Sequence, residues 1–371
     1  MKVIIAAAGT AGHINPGIAI ANKIKKEIPN SKIIFIGTIR GLENDLVPRA
    51  GYELKTIEAY GIQKRINITN IKNFLKTIKG FSEAKEIIKE EKPDLVIGTG
   101  GYICGAVLTA AVKQNIPTML HESNAYPGLA VRMLAKRTTT IMVGFKEAKE
   151  KLTKAKRVVL TGTPTKISNT RIDKDKVKKD LGITNDLPIV LIFGGSQGAK
   201  AINDIVLQII KNKLNKNYQI IWAPGKNQYE IIKSELLKEN IDINNVKNAK
   251  IIPYIYNMQE MMAISDLIIA RSGAMTITEL SIMEKPAIFI PLPSRNANRQ
   301  EDNARVLEKL NAARVIIEED LSCDKLEETI EQLIVDRKEL EQMGKNGAEI
   351  AIDNAEDKIF EEIKNIFKGS D

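Results

Sequence analysis

The sequence predicts an α/β fold with two Rossmann-like domains, each built on a parallel sheet, separated by a cleft. Short apolar runs alternate with helical stretches along the whole chain, which is the pattern of a parallel sheet with helices on both faces. The opening strand, glycine loop and helix, VIIAAAGTAGHINPG, is repeated in kind by IVLIFGGSQGAKAIN near the middle. A length of 371 residues also exceeds what a single core usually covers.

A change of composition over residues 163–188, from apolar to polar and charged, places the domain boundary. Before it, six apolar runs predict the strands of a first domain over 1–163: VIIAAA, KIIFIG, DLVIGTGG, PTMLHE, TIMVGF and VVLTG. After it, a second series predicts a domain over 164–345: IVLIFG, YQIIWAP, AKIIPY, DLIIARSG, PAIFIPLP and ARVIIEED. The charged C-terminal stretch is expected to be helical and to join the first domain over 346–371.

Composition and charge are those of an ordinary globular protein, with 43% hydrophobic and 27% charged residues. The 55 Lys and Arg residues outnumber the 46 Asp and Glu residues, which gives a net charge of +9. This charge suits nucleic acid, an anionic membrane surface or a phosphorylated substrate. We expect no nucleic acid, because only 5% of residues are aromatic and the basic residues are spread through helices.

The chain shows no targeting or metal-binding pattern. No apolar stretch approaches the ~20 residues that span a bilayer, and the N-terminus enters a strand without a secretory signal, so we expect an intracellular protein. Cys104 and Cys323 lie far apart and lack the spacing of a metal site. We therefore expect reduced, structural thiols and no metal.

The first glycine loop, AAAGTAGHINPG, follows an apolar strand and precedes a helix for which Asn15 is the predicted N-cap and Pro16 the first residue. A glycine loop before a helix N-terminus presents backbone N–H groups to a phosphate. The loop lacks both G-x-G-x-x-G and a following Gly-Lys-Ser/Thr, so it fits neither a dinucleotide nor a Walker-type site. A tight turn with glycine for packing alone explains it equally well.

Four further loops fall at strand ends, where ligands of α/β sheets bind: GTGGY, HESNAYPG, GGSQGA and RSGAMTITE. Both histidines of the chain occur in these five loops, His13 in the first glycine loop and His121 in HESNAYPG. His13 is the candidate general base, because an imidazole can take a proton from a hydroxyl near neutral pH. His121 directly follows an apolar strand, which favours a structural role. Thr276 and Glu279 have the spacing of a capping box, and Glu279 could equally accept hydrogen bonds from ribose hydroxyls; both interpretations stay open.

The segment KRINITNIKNFLKTIKGFSEAKEIIK predicts an amphipathic helix. Its apolar positions are Ile71, Phe74, Leu75 and Ile78, and Lys72, Lys76 and Lys79 lie between them. Packing against the protein core is the favoured interpretation. The alternative is contact of Phe74, Leu75 and Phe81 with a membrane whose anionic headgroups meet the lysines.

Taken together, the motifs resemble those of the MurG glycosyltransferases, in the family's order and approximate spacing over nearly the full chain. They are GTAGHINPG, GTGGY, HESNAYPGL, FGGSQGAKAIN, RSGAMTITEL and NRQEDNA. The family adds N-acetylglucosamine to undecaprenyl-pyrophosphoryl-linked muramyl pentapeptide in peptidoglycan synthesis. The resemblance implies a GT-B fold and a metal-independent, inverting transfer to the C4 hydroxyl of the acceptor, without a cofactor. It also implies a peripheral protein at an anionic membrane surface, on the cytoplasmic face of the cell membrane.

The resemblance further implies which residues bind each substrate. The first domain takes the lipid-linked acceptor, with His13 as catalytic base and the acceptor-side residues Thr10, His13, Tyr102 and Asn124. The second domain takes UDP-N-acetylglucosamine. The implied donor-binding residues are Thr10, Gly12, Asn124, Lys166, Ser196, Ile255, Ala274, Met275, Thr276, Glu279 and Gln300.

The chain departs from the family pattern at a few positions. Ala8 and Ala11 replace glycines of the first loop and narrow the space for a ligand. Lys166 replaces an arginine, which keeps the charge but loses the bidentate fork. Arg299 stands where some members have glutamine, and its role is open.

Three other functions remain as rivals. Another GT-B nucleotide-sugar enzyme, a transferase or an epimerase, would share the C-terminal loops. An NADP-dependent oxidoreductase would use Arg40 for the 2′-phosphate but needs a dinucleotide loop that AGTAG does not supply. A non-catalytic module that binds a nucleotide sugar or a lipid would leave His13 without a task.

Overall fold

The structure is a computed structural model that describes residues 1–59, 68–168, 170–195, 197–293 and 299–368, without the side chains of 68–78. It divides into two compact units, one of Met1–Lys166 with Ile352–Asp371 and one of Ile167–Ala351. The sequence analysis placed these boundaries at 163/164 and 345/346. Ser196, a predicted donor-binding residue, lies outside the described residues.

Parallel strands form one sheet in each unit. In the described part of the first unit the sheet has seven strands in the order β3-β2-β1-β4-β5-β6-β7, and in that of the second it has six in the order β10-β9-β8-β11-β12-β13. The strands are β1 (Lys2–Ala7), β2 (Lys32–Thr38), β3 (Glu53–Ile57), β4 (Leu95–Gly100), β5 (Thr118–Glu122), β6 (Thr140–Val143), β7 (Val158–Leu160), β8 (Ile189–Phe193), β9 (Gln219–Ala223), β10 (Ala249–Ile251), β11 (Leu267–Ala270), β12 (Ala287–Phe289) and β13 (Ala313–Val315). The predicted fold class, two Rossmann-like parallel-sheet domains, is confirmed.

Helices connect the strands. They are α1 (Ala11–Glu27), α2 (Glu43–Arg49), α3 (Ile68–Glu91), α4 (Ile103–Lys113), α5 (Leu129–Leu134), α6 (Lys146–Glu150), α7 (Lys174–Asp180), α8 (Lys200–Lys211), α9 (Lys226–Lys238), α10 (Met258–Ile264), α11 (Ala274–Ile282), α12 (Gln300–Lys309), α13 (Cys323–Val335), α14 (Arg337–Ala348) and α15 (Ala355–Lys368), with a 3-10 turn at Glu318–Asp320. Among the helices of the described ranges, none combines the length and apolarity that crossing a bilayer requires.

The inner strands of both sheets are buried on both faces, which explains their continuous apolar runs. In β1, Ile4 and Ala6 belong to one core cluster, and Val3 and Ile5 to the cluster on the opposite face. The edge strand β3, which the sequence analysis did not predict, has the sequence ELKTI and is largely half-exposed. Its charged residues interrupt the apolar run by which a strand is recognised in the sequence.

The C-terminal helix α15 packs on the first unit, in the core cluster that also contains residues of α1. Ile359 and Ile363 are both 1% exposed there, and Lys23 of α1 pairs with Asp357 at 2.5 Å. Helix α14 stays in the second unit, where Leu340 and Met343 are buried. The return to the first unit therefore begins at Ile352, after α14, and not at 346.

The order of strands along each sheet reverses at one point. In the first unit this point lies between β1 and β4, and in the second between β8 and β11. Ala7 lies opposite Gly100 at the first point, and Phe193 opposite Ala270 at the second. In sheets of this kind the loops that leave the carboxyl ends of the strands diverge at the reversal and leave a crevice, where ligands bind.

The prediction that Asn15 caps α1 and Pro16 opens it is wrong. The helix begins at Ala11 with Thr10 as N-cap, so Pro16 lies inside it. The amide groups of His13 and Ile14 already donate to the Thr10 carbonyl at 3.0 and 3.2 Å. The glycine loop is thus shorter than predicted, and His13 belongs to the first helical turn.

Candidate active site

The first sheet brings the first glycine loop next to the GTGGY motif. A Cβ at Gly100 would lie 2.3 Å from Cδ2 of His13, and one at Gly101 would lie 2.7 Å from the Ala8 carbonyl oxygen. Both glycines have positive φ, of 130° and 84° respectively. Side chains at these two positions would be strained and would collide, so glycine is what allows the first loop and its histidine to pack against the end of β4.

The tautomer of His13 follows from its contact with the backbone. Its Nδ1 lies 3.2 Å from the Ala8 carbonyl oxygen. Because a carbonyl oxygen only accepts hydrogen bonds, Nδ1 carries the proton and Nε2 holds the lone pair of the neutral ring. The Thr99 hydroxyl donates to the His13 carbonyl at 2.8 Å and fixes the turn. The ring is thereby prepared to take a proton at Nε2.

The N-terminus of α1 lies at the same edge of the sheet. Thr10 makes no side-chain cap hydrogen bond, and the amide groups of Ala11 and Gly12 have no acceptor within the helix. Among the described residues, the Thr10 hydroxyl, at 3.7 Å, is the one group that a Cβ placed at Gly12 would have within 4 Å. The open space and the amide donors suit an anionic group.

Glu122, at the end of β5, orders the HESNAYPG loop. Its carboxylate accepts from the backbone and side-chain amides of Asn124, both at 2.9 Å, and from the Gly128 amide at 2.7 Å. It is only 5% exposed. Glu122 thus fixes the side chain of a predicted site residue. The sequence analysis missed it, although a carboxylate directly after a buried strand was a usable signal.

His121 has a structural environment, as the sequence analysis favoured. It is 1% exposed, and its Nε2 donates to the Gly162 carbonyl at 2.9 Å. The Ser123 hydroxyl lies 3.3 Å from Nδ1. Burial lowers the pKa of His121 to about 4, so the ring is neutral at physiological pH. This histidine holds β5 to the loop after β7.

The predicted acceptor-side residues follow three adjacent strands. Thr10 and His13 follow β1, Tyr102 follows β4, and Asn124 follows β5. Tyr102 is 43% exposed, which is unusual for a large aromatic side chain beside a core helix. The fold therefore collects all four residues at one edge of one sheet.

In the second unit, the GGSQGA loop leaves β8 and packs against the loop after β9. Gly195 and Gly198 have positive φ, of 88° and 76°. A Cβ at Gly198 would lie 2.0 Å from the Pro224 carbonyl oxygen. The Asn203 side chain donates to that same carbonyl at 3.0 Å and accepts from Trp222 Nε1 at 3.2 Å. These glycines thus allow the two loops to pack closely, in addition to any contact with a ligand.

The predicted capping box of Thr276 and Glu279 is wrong. Helix α11 begins at Ala274 with Gly273 as N-cap, in an extended conformation, and the Ile277 amide donates to the Gly273 carbonyl at 3.0 Å. Thr276 is already helical and therefore cannot be the N-cap, and Gly273 occupies the N-cap position instead. Thr276 and Glu279 instead lie one turn apart on one face of the helix, both half-buried.

The geometry of α11 suits a diphosphate and a ribose. The amide groups of Ala274, Met275 and Thr276 form the first turn, without acceptors inside the helix and without a capping side chain. They stand at the crevice between β8 and β11. The carboxylate of Glu279 lies one turn farther from the N-terminus.

Arg271, which the sequence analysis did not single out, connects the loops after β11 and β12. It is 9% exposed, and its Nη1 donates to the carbonyls of Ile290 and Pro291 at 3.0 and 2.9 Å. Its Nη2 pairs with Glu318. A buried arginine that satisfies several carbonyls holds a loop in one conformation. The basic residue directly after a buried strand was the available signal.

Gln300 is the first residue of α12 and contacts the loops after β11 and β12. Its Oε1 accepts from the Leu292 amide at 3.0 Å, and its carbonyl accepts from the Ser272 hydroxyl at 2.8 Å.

Two further predicted donor residues, Ile255 and Lys166, follow other elements of the chain. Ile255 follows β10, at the edge of the second sheet, and is 7% exposed. Lys166 is exposed and is the last residue of the first unit, whereas the sequence analysis placed it in the second domain. Within the described ranges, no three His, Cys, Asp or Glu side chains are placed to share a metal ion.

Comparison with protein families gives a match for each unit. Residues 3–143 match the glycosyltransferase family 28 N-terminal domain. Residues 189–359 match the glycosyltransferase family 28 C-terminal domain. Together the two matches cover most of the chain, in the order in which the two units follow each other.

Relatives of known name match the chain over its full length. A UDP-N-acetylglucosamine--N-acetylmuramyl-(pentapeptide) pyrophosphoryl-undecaprenol N-acetylglucosamine transferase of Acetivibrio thermocellus is 45% identical over 99% of both chains. Among solved structures, MurG of Acinetobacter baumannii has a TM-score of 0.77 at 24% identity and covers 98% of this chain and 99% of its own. A UDP-GlcNAc 2-epimerase of Neisseria meningitidis, bound to UDP-GlcNAc, has a TM-score of 0.65 at 17% identity over 98% of this chain and 100% of its own. The two structures share the fold.

Proposed function

Since this chain belongs to glycosyltransferase family 28, we propose that it transfers N-acetylglucosamine from UDP-N-acetylglucosamine to undecaprenyl-pyrophosphoryl-N-acetylmuramyl pentapeptide, a step of peptidoglycan synthesis. The chain is a UDP-sugar-dependent glycosyltransferase by the family of both its units and by the name of a full-length relative at 45% identity. The observation in the structure that carries the proposal is helix α11, whose uncapped first turn stands at the crevice of the second sheet with Glu279 one turn behind it.

On the donor side, the assignment gives each part of UDP-N-acetylglucosamine a partner of suitable chemistry. The amide groups of Ala274, Met275 and Thr276 hold the diphosphate at the positive end of α11. Glu279 accepts hydrogen bonds from the ribose hydroxyls, and Gln300 contacts the sugar. Ile255 presents its backbone to the uracil.

On the acceptor side, His13 acts as the general base. The C4 hydroxyl of the acceptor attacks the anomeric carbon from the face opposite UDP, and its proton passes to Nε2 of His13. The new glycosidic bond forms as the bond from the anomeric carbon to the diphosphate oxygen breaks, and UDP leaves with the negative charge. A single displacement inverts the anomeric configuration. The N-terminus of α11 stabilises the departing diphosphate without the help of a metal ion.

The proposal is tested with both substrates and a donor-site variant. We expect the wild-type protein to release UDP only when the lipid-linked acceptor is present, with one disaccharide formed per UDP, as measured by a coupled UDP assay and chromatography. Glu279→Gln should raise KM for UDP-N-acetylglucosamine by about tenfold or more, because hydrogen bonds to charged groups contribute ~1.5–3 kcal/mol. KM for the acceptor should not change.

The matched control is Glu319→Gln, which neutralises an exposed carboxylate of the same unit and should leave both KM values unchanged. Formation of an isomeric UDP-sugar without acceptor would indicate an epimerase and contradict the proposal. Binding of UDP-N-acetylglucosamine without any turnover would indicate a non-catalytic module.

We further propose that the protein binds peripherally to the cytoplasmic face of the cell membrane, where its lipid-linked acceptor lies. Of the residues predicted to contact a membrane, Phe74 and Leu75 have side chains outside the described residues, and Phe81 packs partly buried against a core cluster of the first unit. Support comes instead from α5 and its surroundings, which combine exposed apolar side chains with a strongly basic segment.

Leu129 and Met133 lie one turn apart on α5 and are 57% and 73% exposed. The segment 129–157 contains nine Lys and Arg residues and two Glu residues, a net charge of +7 when the whole chain has +9. Exposed apolar side chains in a chain segment of concentrated positive charge suit the interface of an anionic bilayer.

A vesicle experiment tests this surface. The wild-type protein should sediment with vesicles of anionic phosphatidylglycerol and not with those of phosphatidylcholine. The double variant Leu129→Ser, Met133→Ser should bind the anionic vesicles at least about tenfold more weakly, because each buried apolar side chain contributes ~1.5–3 kcal/mol. Val335→Ser, which changes an 81% exposed apolar residue of the second unit, is the control. Equal binding by the double variant and the wild type would contradict the assignment of α5.

A further inference from the structure

Glu43 is a fully buried carboxylate that the proposed mechanism does not use. It opens α2, is 0% exposed, and lies beneath the first glycine loop. Its Oε1 accepts from the Thr38 amide at 2.8 Å and from the Thr38 hydroxyl at 2.7 Å, and its Oε2 accepts from the Gly9 amide at 3.0 Å. A buried carboxylate is retained only when its oxygen atoms are satisfied in this way.

The surrounding chain is shaped to admit this side chain. A Cβ at Gly41 would lie 1.9 Å from Oε2 of Glu43, and a Cβ at Gly37 would lie 2.6 Å from its Cγ. Burial alone raises the pKa of Glu43, but the hydrogen bonds from Thr38 and Gly9 outweigh it and hold the pKa below its ordinary value. The group is therefore an anion at neutral pH.

The peptide group between Ala8 and Gly9 links this anion to the imidazole. Its N–H donates to Oε2 of Glu43 at 3.0 Å. Its carbonyl oxygen lies 3.2 Å from Nδ1 of His13. The carboxylate and the ring thus occupy opposite ends of one planar group, whose two ends are polarised together.

We propose that Glu43 is a positioning residue for His13, which acts through the Ala8–Gly9 peptide group. The charge-assisted hydrogen bond to the Gly9 amide fixes the plane of this peptide group and strengthens its carbonyl as an acceptor. The carbonyl in turn holds the proton of His13 on Nδ1 and leaves the lone pair on Nε2. This inference rests on the proposed function only in that Nε2 is the atom that takes the proton of the acceptor.

The test uses Glu43→Gln, which keeps the shape of the side chain but replaces one oxygen by an amide donor. That donor faces either the Gly9 amide or the Thr38 amide, so one of these N–H groups loses its acceptor. The matched control is Glu362→Gln, which changes an 8% exposed carboxylate of the same unit that binds Arg157 through hydrogen bonds of 2.8 and 2.9 Å.

The readout is the tautomer of each histidine, from long-range proton–nitrogen correlation spectra of the full chain labelled with 15N-histidine. The chain has two histidines, and their contacts assign opposite neutral tautomers, with the proton on Nδ1 in His13 and on Nε2 in His121. Glu43→Gln should turn the His13 signals into those of mixed tautomers and leave the His121 signals unchanged. Glu362→Gln should change neither ring.

Kinetics supply the second readout. At saturating substrates, Glu43→Gln should reduce kcat at least about tenfold, because general base catalysis contributes ~10²–10⁴ and depends on the correct tautomer. The dissociation constant of UDP-N-acetylglucosamine should not change. If the wild-type protein transfers no sugar, the proposed function fails, and the spectra still decide whether Glu43 sets the His13 tautomer.

Unchanged His13 signals with unchanged kcat in Glu43→Gln would overturn the proposal. If this variant does not fold, Gly41→Ala replaces it, since the added Cβ displaces the carboxylate from the Gly9 amide without removing its charge. The same change of the His13 spectrum is expected, and an unaltered spectrum in folded Gly41→Ala would overturn the proposal equally.

Discussion

His13→Ala should reduce kcat by about 10²–10⁴ while the dissociation constant of UDP-N-acetylglucosamine stays within about twofold of the wild-type value. The imidazole lies in the first unit, and its Nε2 is the atom prepared to accept a proton. The donor residues Ala274, Met275 and Thr276 belong to the second unit. Removal of the ring therefore removes a proton acceptor and leaves the proposed diphosphate contacts intact.

Steady-state kinetics at saturating substrates and calorimetric titration with the donor measure the two quantities separately. His121 supplies the comparison, since it is the other histidine and is buried with both ring nitrogens in contact with protein groups. His121→Gln should lower the free energy of unfolding, and the folded fraction should retain its turnover. Equal loss of turnover and donor affinity in His13→Ala, or no loss at all, would exclude His13 as the base.

Gly100→Ala should reduce kcat by about 10²-fold, because the added methyl group would displace the imidazole by an ångström or more. The Cβ would lie 2.3 Å from Cδ2 and 3.0 Å from Nε2 of His13. The φ of 130° at Gly100 adds strain of about 1–3 kcal/mol for a residue with a side chain. The variant should accordingly unfold at a lower temperature and remain slow when fully folded.

Gly105→Ala is the matched control for this variant. It adds the same methyl group to the following helix, α4, where nothing lies within 4 Å of the new Cβ. The substitution should stabilise the helix by up to about 1 kcal/mol and leave turnover unchanged. If folded Gly100→Ala turns over at the wild-type rate, the contact between Gly100 and His13 has no role in the orientation of the base.

Much of the fold could be predicted because the strands of both sheets are buried on both faces. Such strands appear in the sequence as unbroken apolar runs, as in VIIAAA and IVLIF. The edge strand β3 was not predicted, because it is half-exposed and its sequence, ELKTI, is not an unbroken apolar run. The position of the glycine loops could be predicted as well, since they follow the carboxyl ends of the buried strands, and that these loops bind ligands stays a prediction.

The two wrongly predicted helix starts show that tertiary structure can override local sequence patterns. Asn15 and Thr276 both have the side chains of good N-caps, and yet both lie inside a helix. At α1 the Thr99 hydroxyl donates to the His13 carbonyl, and Gly100 leaves room for the His13 ring. These two features hold His13 in a helical turn that begins earlier than the predicted one. At α11 the chain at Gly273 is extended, so the N-cap lies at Gly273, three residues before the predicted N-cap Thr276.

The sequence by itself determined the two parallel-sheet domains, the glycine loops at the strand ends and the family to which the chain belongs. Only the tertiary structure decided that Glu43 contacts Gly9, 34 residues away, and that the Thr99 hydroxyl contacts His13, 86 residues away. The physical reason is the strand order β2-β1-β4, which sets side by side three loops that are separated along the chain. Contacts of this kind depend on which strands become neighbours, and a local pattern of residue types does not contain that information.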